Sequence, residues 1–300
     1  MKGTGTKLTS ANRHGIAFAT IALSGVAFWN PLSRLLEYAL SHESSSHILI
    51  IPIISIYFFI SQRRQIFQET RWCAAAGVPT IGAGIAGLLF VQRFLSTSAR
   101  ADYLFAATLS IVTILCGEFL LFYGGRAARA AAFPLAFLAL MVPMPEAALA
   151  GTIHFLQGGS ISVTCLMFKI AGVPYVRQGF VLSLPTISIE IAKECSGIRS
   201  SIALVITCLL AAKLFLRSYW KMTFLVLLAI PFAILKNGMR ITTLTLLSID
   251  VNPSFLTGKL HRQGGFVFFL ITLGMLAAGI YFLRKSEGKS LASPRQSQRR

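Results

Sequence analysis

Three residues of the types used in acyl transfer stand late in the chain where polar stretches meet apolar runs. They are Cys195 in AKECSGIRSS, Arg240 in AILKNGMRITT and His261 in KLHRQGGFVFF. A thiolate is a strong nucleophile, and a thiol ionises more readily beside Arg, a protonated His or a helix N-terminus. An imidazole can take the thiol proton and return it to a leaving amine. A guanidinium can hold the thiolate or the oxyanion of a tetrahedral intermediate. Glu194, Ser196, Gly197 and Arg199 flank the thiol, and Lys236 and Asn237 precede Arg240. Lys236 and Arg240 are four apart and share a helix face, with Asn237 close to it. On residue types alone, Cys195 stands equally as an inert thiol or as a nucleophile.

The elements that must position these residues are membrane helices. The 300 residues are 55% hydrophobic and only 13% charged, with a mean hydropathy of +0.69. Apolar runs near the length of a bilayer crossing recur throughout. This excludes a soluble globular domain. The fold class is therefore an all-α polytopic membrane protein with about eight transmembrane helices, expected over 15–30, 46–61, 73–91, 103–123, 130–150, 198–212, 222–247 and 263–283. The long connection 151–197 reads as a small cap before the sixth helix. Its first part looks like an amphipathic helix lying on the leaflet. Its second part alternates apolar and polar residues around Leu184-Pro185-Thr186, as a short hairpin does. The domain pattern is a basic cytoplasmic tail over 1–14, a membrane-embedded domain over 15–283 and a disordered basic tail over 284–300. The N-terminal apolar stretch carries no Ala-x-Ala-like cleavage site and reads as a retained span.

The net charge of +18 lies in short patches between apolar runs, which argues for membrane orientation and against nucleic acid. Seventeen Lys and Arg residues fall on one set of connections with both termini, and eleven on the other. Both termini are thus expected in the cytoplasm, and the span count even. Cys195, Arg240 and His261 then all arrive at the opposite, outer surface.

Other motifs carry less chemistry. Five scattered cysteines show neither a disulfide framework nor metal spacing, so no metal or cofactor is expected. Gly82-Ala83-Gly84-Ile85-Ala86-Gly87 matches a dinucleotide fingerprint in form, but it lies in an apolar span without a preceding strand. Close helix packing is the better reading. Glu118, in the middle of the fourth span, is either paired structurally or functional. His47 reads as a satisfied polar group at a helix boundary.

ECSGIRSS, then PFAILKNGMRI, then HRQGGFVFF resemble the exosortase/archaeosortase family of membrane cysteine transpeptidases. SHILIIPIISIYFFISQRR, with His47, Pro52 and Arg63-Arg64, resembles that family's early region. The resemblance covers about 40–283 and implies a bacterial-type site of Cys195, Arg240 and His261, with Glu194, Ser196, Gly197, Arg199, Lys236 and Asn237 in support. It implies membrane-anchored substrates bearing a C-terminal sorting signal: a motif such as Pro-Glu-Pro, a transmembrane helix and a basic tail. An acyl-enzyme at Cys195 would pass the new C-terminus to an unknown acceptor outside the cytoplasmic membrane. The competing readings are a thiol protease that only hydrolyses, and a transport or assembly factor for a surface polymer.

Overall fold

The computed structural model describes residues 10–95, 98–255 and 265–292. Among them, seven helices are long and apolar enough to cross a membrane, or eight if one bent pair is a single span. The chain is an all-α polytopic membrane protein with one small sheet. It divides into two compact units, Met1–Leu149 and Ala150–Arg300.

The first unit opens with α1 (Ser10–Ala27) and α2 (Trp29–Ser41), bent by 72° at Phe28. Pro31 has no N–H to continue the ladder across that junction, so the first expected span becomes an angled pair. A 3-10 turn over Glu43–Leu49 leads into α3 (Ile51–Ser61), with Pro52 in the first turn where its missing N–H costs nothing. After the short α4 (Arg63–Ile66), α5 (Ala74–Phe94) packs lengthwise on α6 (Arg100–Ala130).

Glycines set that contact. A methyl group on Gly77 would lie 2.6 Å from the Leu121 backbone, and one on Gly117 would lie 2.7 Å from the Ile81 nitrogen. Gly84 and Gly87 face Ser110 and Ile114 of α6 equally closely, whereas Gly82 faces open space. The glycine-rich stretch is thus helix packing, as its small residues predict. At Gly124 (φ +79°) α6 kinks just after the expected end of the fourth span.

The expected fifth span, 130–150, is not one helix. A short α7 (Ala132–Leu138) and a 3-10 turn (Ala139–Met141) give way to extended chain at Val142, ahead of Pro143 and Pro145. Two prolines within three residues remove donors and disfavour helix before each ring. The segment still runs back along α3, with Phe133 against Phe58 at 4.8 Å between ring centroids.

The stretch expected to be an amphipathic helix is helical. It belongs to α8 (Glu146–Ile170), 25 residues long and itself apolar enough to cross a membrane. Its polar Gln157, Ser160 and Thr164 are buried, while Phe155, Leu166 and Ile170 are exposed. One side of the helix is thus polar and packed inside the protein, and the other is apolar and left uncovered.

The second unit carries the sheet and α9 to α11. Strands β1 (Val176–Gln178), β2 (Val181–Ser183) and β3 (Ser188–Glu190) form an antiparallel meander in that order. The Leu184-Pro185-Thr186 hairpin is present between β2 and β3, closed by Leu184 N–H to Ile187 C=O at 2.8 Å, and β1 adds a third strand. Leu182, Leu184, Ile189 and Ile191 bury against Ile161 and Phe168 of α8, with Ile241, Leu246 and Ile249 at the margin.

Helices α9 (Ile198–Phe215) and α10 (Tyr219–Asp250) form a tight antiparallel pair with α11 (Gly265–Ala292) alongside. Leu204, Cys208, Ala212, Leu225, Ala229 and Leu276 make their shared core. Glu287 accepts backbone hydrogen bonds from Arg217 and Ser218, and Lys221 Nζ donates to Ser286 Oγ at 2.7 Å. These contacts join the start of α10 to the end of α11, and they fall inside the expected disordered tail, which is helical to Ala292. The same holds at the N-terminus. Helix already occupies part of the expected 1–14 tail, with Arg13 donating to Thr70 Oγ1 at 2.7 Å.

Candidate functional site

The antiparallel α9–α10 pair brings the start of α9 beside the second half of α10. Just before α9, Lys193–Ser196 winds as a 3-10 turn, and Gly197 adopts φ +75° to redirect the chain into the helix. This conformation favours glycine. A Cβ there would also stand 3.1 Å from Asn237 Oδ1. Cys195 is therefore presented, half-buried, at the positive end of the α9 dipole.

Three residues of α10 hold and face this turn. Lys236, almost fully buried, donates to Ser200 Oγ, which donates in turn to the Gly197 carbonyl at 3.0 Å. Asn237, 1% exposed, uses one amide nitrogen twice. It donates to the Cys195 carbonyl at 2.8 Å and to Ser160 Oγ of α8 at 2.9 Å. One turn further on, Arg240 lines a pocket of about 50 Å³ together with Cys195. Ile189, Glu190 and Ile191 of the sheet region and Ile241, Leu244 and Thr245 of α10 complete its wall.

Cys195 and Arg240 thus share one pocket. His261 lies outside the described residues. Helix α11, which follows it, starts at the end of the unit opposite the Lys221–Ser286 contact. Glu194 lies in the 3-10 turn beside the thiol. Ser196 is buried, and its Oγ accepts weakly from Ile198 N–H at 3.4 Å. Arg199 and Lys193 are exposed. Lys236 points to Ser200, which separates it from Arg240 in role although both lie on one face.

Two participants escaped the sequence reading. Ser160 carries no signal of its own among the polar residues of α8, and its partner Asn237 lies 77 positions away. Glu190 falls within the expected hairpin stretch, and the β3 register is what brings it to the pocket wall.

The other candidates have local explanations. Glu118 accepts a hydrogen bond from Ser24 Oγ of α1 at 2.6 Å on one carboxylate oxygen, and its other oxygen is buried with no hydrogen-bond partner among the described residues. His47 Nδ1 lies 3.1 Å from the Ser44 carbonyl. None of the five cysteines is in a disulfide, and among the described residues no His, Cys, Asp or Glu cluster could hold a metal ion.

A thiol just before a helix N-terminus and a guanidinium lining the same small pocket can support acyl transfer. No curated protein and no solved structure matches the chain. The profile of the transmembrane exosortases, however, matches residues 38–278, a stretch that holds Cys195, Arg240 and His261 together, and the chain belongs to that family.

Proposed function

We propose that this exosortase is a cysteine transpeptidase that removes a C-terminal sorting signal from membrane-anchored proteins and transfers the new C-terminus to an acceptor. The observation that carries the reading is the shared pocket of Cys195 and Arg240 at the start of α9. Both termini would lie in the cytoplasm of a bacterium, with the pocket at the outer face of the cytoplasmic membrane, following the Lys and Arg asymmetry of the connections.

In the first half-reaction the Cys195 thiolate attacks the scissile carbonyl carbon. Arg240 stabilises the charge that develops on the carbonyl oxygen. The C–N bond breaks as His261 gives a proton to the departing amine, leaving a thioester at Cys195 and freeing the transmembrane tail. In the second half-reaction the acceptor's nucleophilic atom attacks the thioester, loses its proton to His261 and releases the thiolate. A pocket of about 50 Å³ between apolar Ile189, Ile191, Ile241 and Leu244 admits little water, and this favours transfer over hydrolysis. No metal or cofactor takes part in this scheme.

The test is intact-mass analysis of a reporter ending in a Pro-Glu-Pro motif, an apolar helix and a basic tail, co-expressed with wild-type protein or with Cys195→Ala. Tail loss with the wild type alone is expected, and an added mass on the shortened reporter distinguishes transfer from hydrolysis. Cleavage that persists with Cys195→Ala would overturn the nucleophile assignment.

A further inference from the structure

The sheet beside the pocket has an open edge, and its register says which backbone groups line it. β3 pairs with β2 through Val181↔Glu190, Leu182↔Ile189 and Ser183↔Ser188. Ile191 N–H donates to the Phe180 carbonyl at 3.0 Å, and Leu184 N–H to the Ile187 carbonyl at 2.8 Å. In an antiparallel ladder, alternate residues direct both backbone groups to the same neighbour. Residues 187, 189 and 191 therefore face β2, and Ser188 and Glu190 turn their N–H and C=O groups the other way. Among the described residues no strand pairs with that edge, and both residues are exposed.

The edge continues into the pocket. Ile189, Glu190 and Ile191 form one of its walls, with Cys195 and Arg240 completing the same cavity. A cavity of about 50 Å³ holds a carbonyl group or one small side chain. Pockets that recognise whole small molecules are several times larger, roughly 300 Å³ and above. Affinity for a substrate then draws on contacts outside the cavity, and the outward main-chain groups of Ser188 and Glu190 stand on the strand that forms its wall.

We propose that β3 is the docking strand for the polypeptide processed at Cys195. The segment beside the bond to be cut lies extended along Ser188–Glu190 as a fourth strand, and its next residues enter the pocket. This is strand addition to a sheet edge, in which main-chain hydrogen bonds bind the ligand and side chains matter only at alternate positions. The occupant is an extended peptide segment of the membrane-anchored substrate. The inference rests on the transpeptidase reading above.

Two measurements test it, using the full chain in membranes and the reporter described above. The first is disulfide trapping in a Cys195→Ala background carrying Glu190→Cys, against reporters with single cysteines at successive positions flanking the cleavage motif. Adducts at every second reporter position are expected. No adduct, a flat profile, or only a dimer linked through position 190 would overturn the proposal. The second compares prolines at the two sheet edges. Glu190→Pro removes one outward donor and no β2–β3 bond, and Arg177→Pro does the same on the far edge of β1. Reporter shortening should fall at least tenfold with Glu190→Pro and stay near wild type with Arg177→Pro. Equal loss, or no loss, in the two variants would overturn it. If wild-type protein and Cys195→Ala treat the reporter alike, it is the transpeptidase reading that fails, before β3 is in question.

Discussion

Asn237 holds the backbone carbonyl of Cys195 at 2.8 Å, from a side chain that is 1% exposed and anchored at its other hydrogen to Ser160. The nucleophile candidate is thus fixed through its own main chain. The bond reaches across 42 positions of sequence and ties the turn before α9 to the middle of α10.

Asn237→Ala should therefore harm both stability and processing. It leaves a buried carbonyl and a buried hydroxyl without their donor, a loss of about 1–3 kcal/mol. Ser160→Ala keeps the bond to Cys195 and should cost less activity for a comparable change in Tm. The check is the rate of reporter shortening set against Tm in detergent for both variants. Equal activities at equal Tm would remove the positioning role from Asn237.

Gly197 is constrained twice, by its φ of +75° and by the Asn237 side chain. Gly179 has a similar φ of +61° and no atom in the way. An alanine at either position meets the backbone penalty, about 1–2 kcal/mol. Only Gly197→Ala also pushes on Asn237. Its fall in Tm should exceed that of Gly179→Ala, and it alone should slow processing. Matching Tm losses in the two variants would show that the contact is relaxed without cost.

The parts of this arrangement that were legible in the sequence are those fixed locally. Cys195 before an apolar run and Arg240 one turn beyond Lys236 follow from spacing, and Gly84 and Gly87 declare helix packing because nothing else in an apolar span needs small residues. What escaped was set by neighbours distant in sequence. Gln157, Ser160 and Thr164 give α8 a polar stripe, and sequence alone does not say whether water or Asn237 satisfies it. Likewise, Glu190 reaches the pocket wall only through the strand register. The break in 130–150 was readable, since Pro143 and Pro145 stand inside it, but apolar content outweighed them.

The α5–α6 contact offers a prediction apart from the site. Gly117→Ala would place a methyl 2.7 Å from the Ile81 nitrogen, and backbone cannot swing aside as a side chain can. Overpacking of this kind costs about 1–3 kcal/mol. Gly82→Ala enters open space on the same pair of helices. Its effect should be neutral, or stabilising by up to about 1 kcal/mol through helix propensity. Detergent-resistant folded fraction on heating separates the two, and similar behaviour would mean that the helices slide freely past each other.

Lys236 is a charge whose role is set by its place in the fold. Its 4% exposure and its donation to Ser200 turn it inward to the 197–200 turn. An acidic residue in a substrate motif would meet exposed Lys193 sooner than buried Lys236. Replacing a buried charge by an apolar group of similar length is often neutral or stabilising by about 1–4 kcal/mol, because its desolvation is avoided. Lys236→Met should accordingly keep or raise Tm. Ser200→Ala, which strips the buried ammonium of its acceptor, should lower Tm by about 1–3 kcal/mol equivalent. In processing assays, Lys236→Met should slow acidic and neutral reporter motifs by the same factor, since it acts through the turn. Lys193→Gln should slow the acidic motif selectively. A motif-dependent loss with Lys236→Met would place its ammonium at the substrate after all.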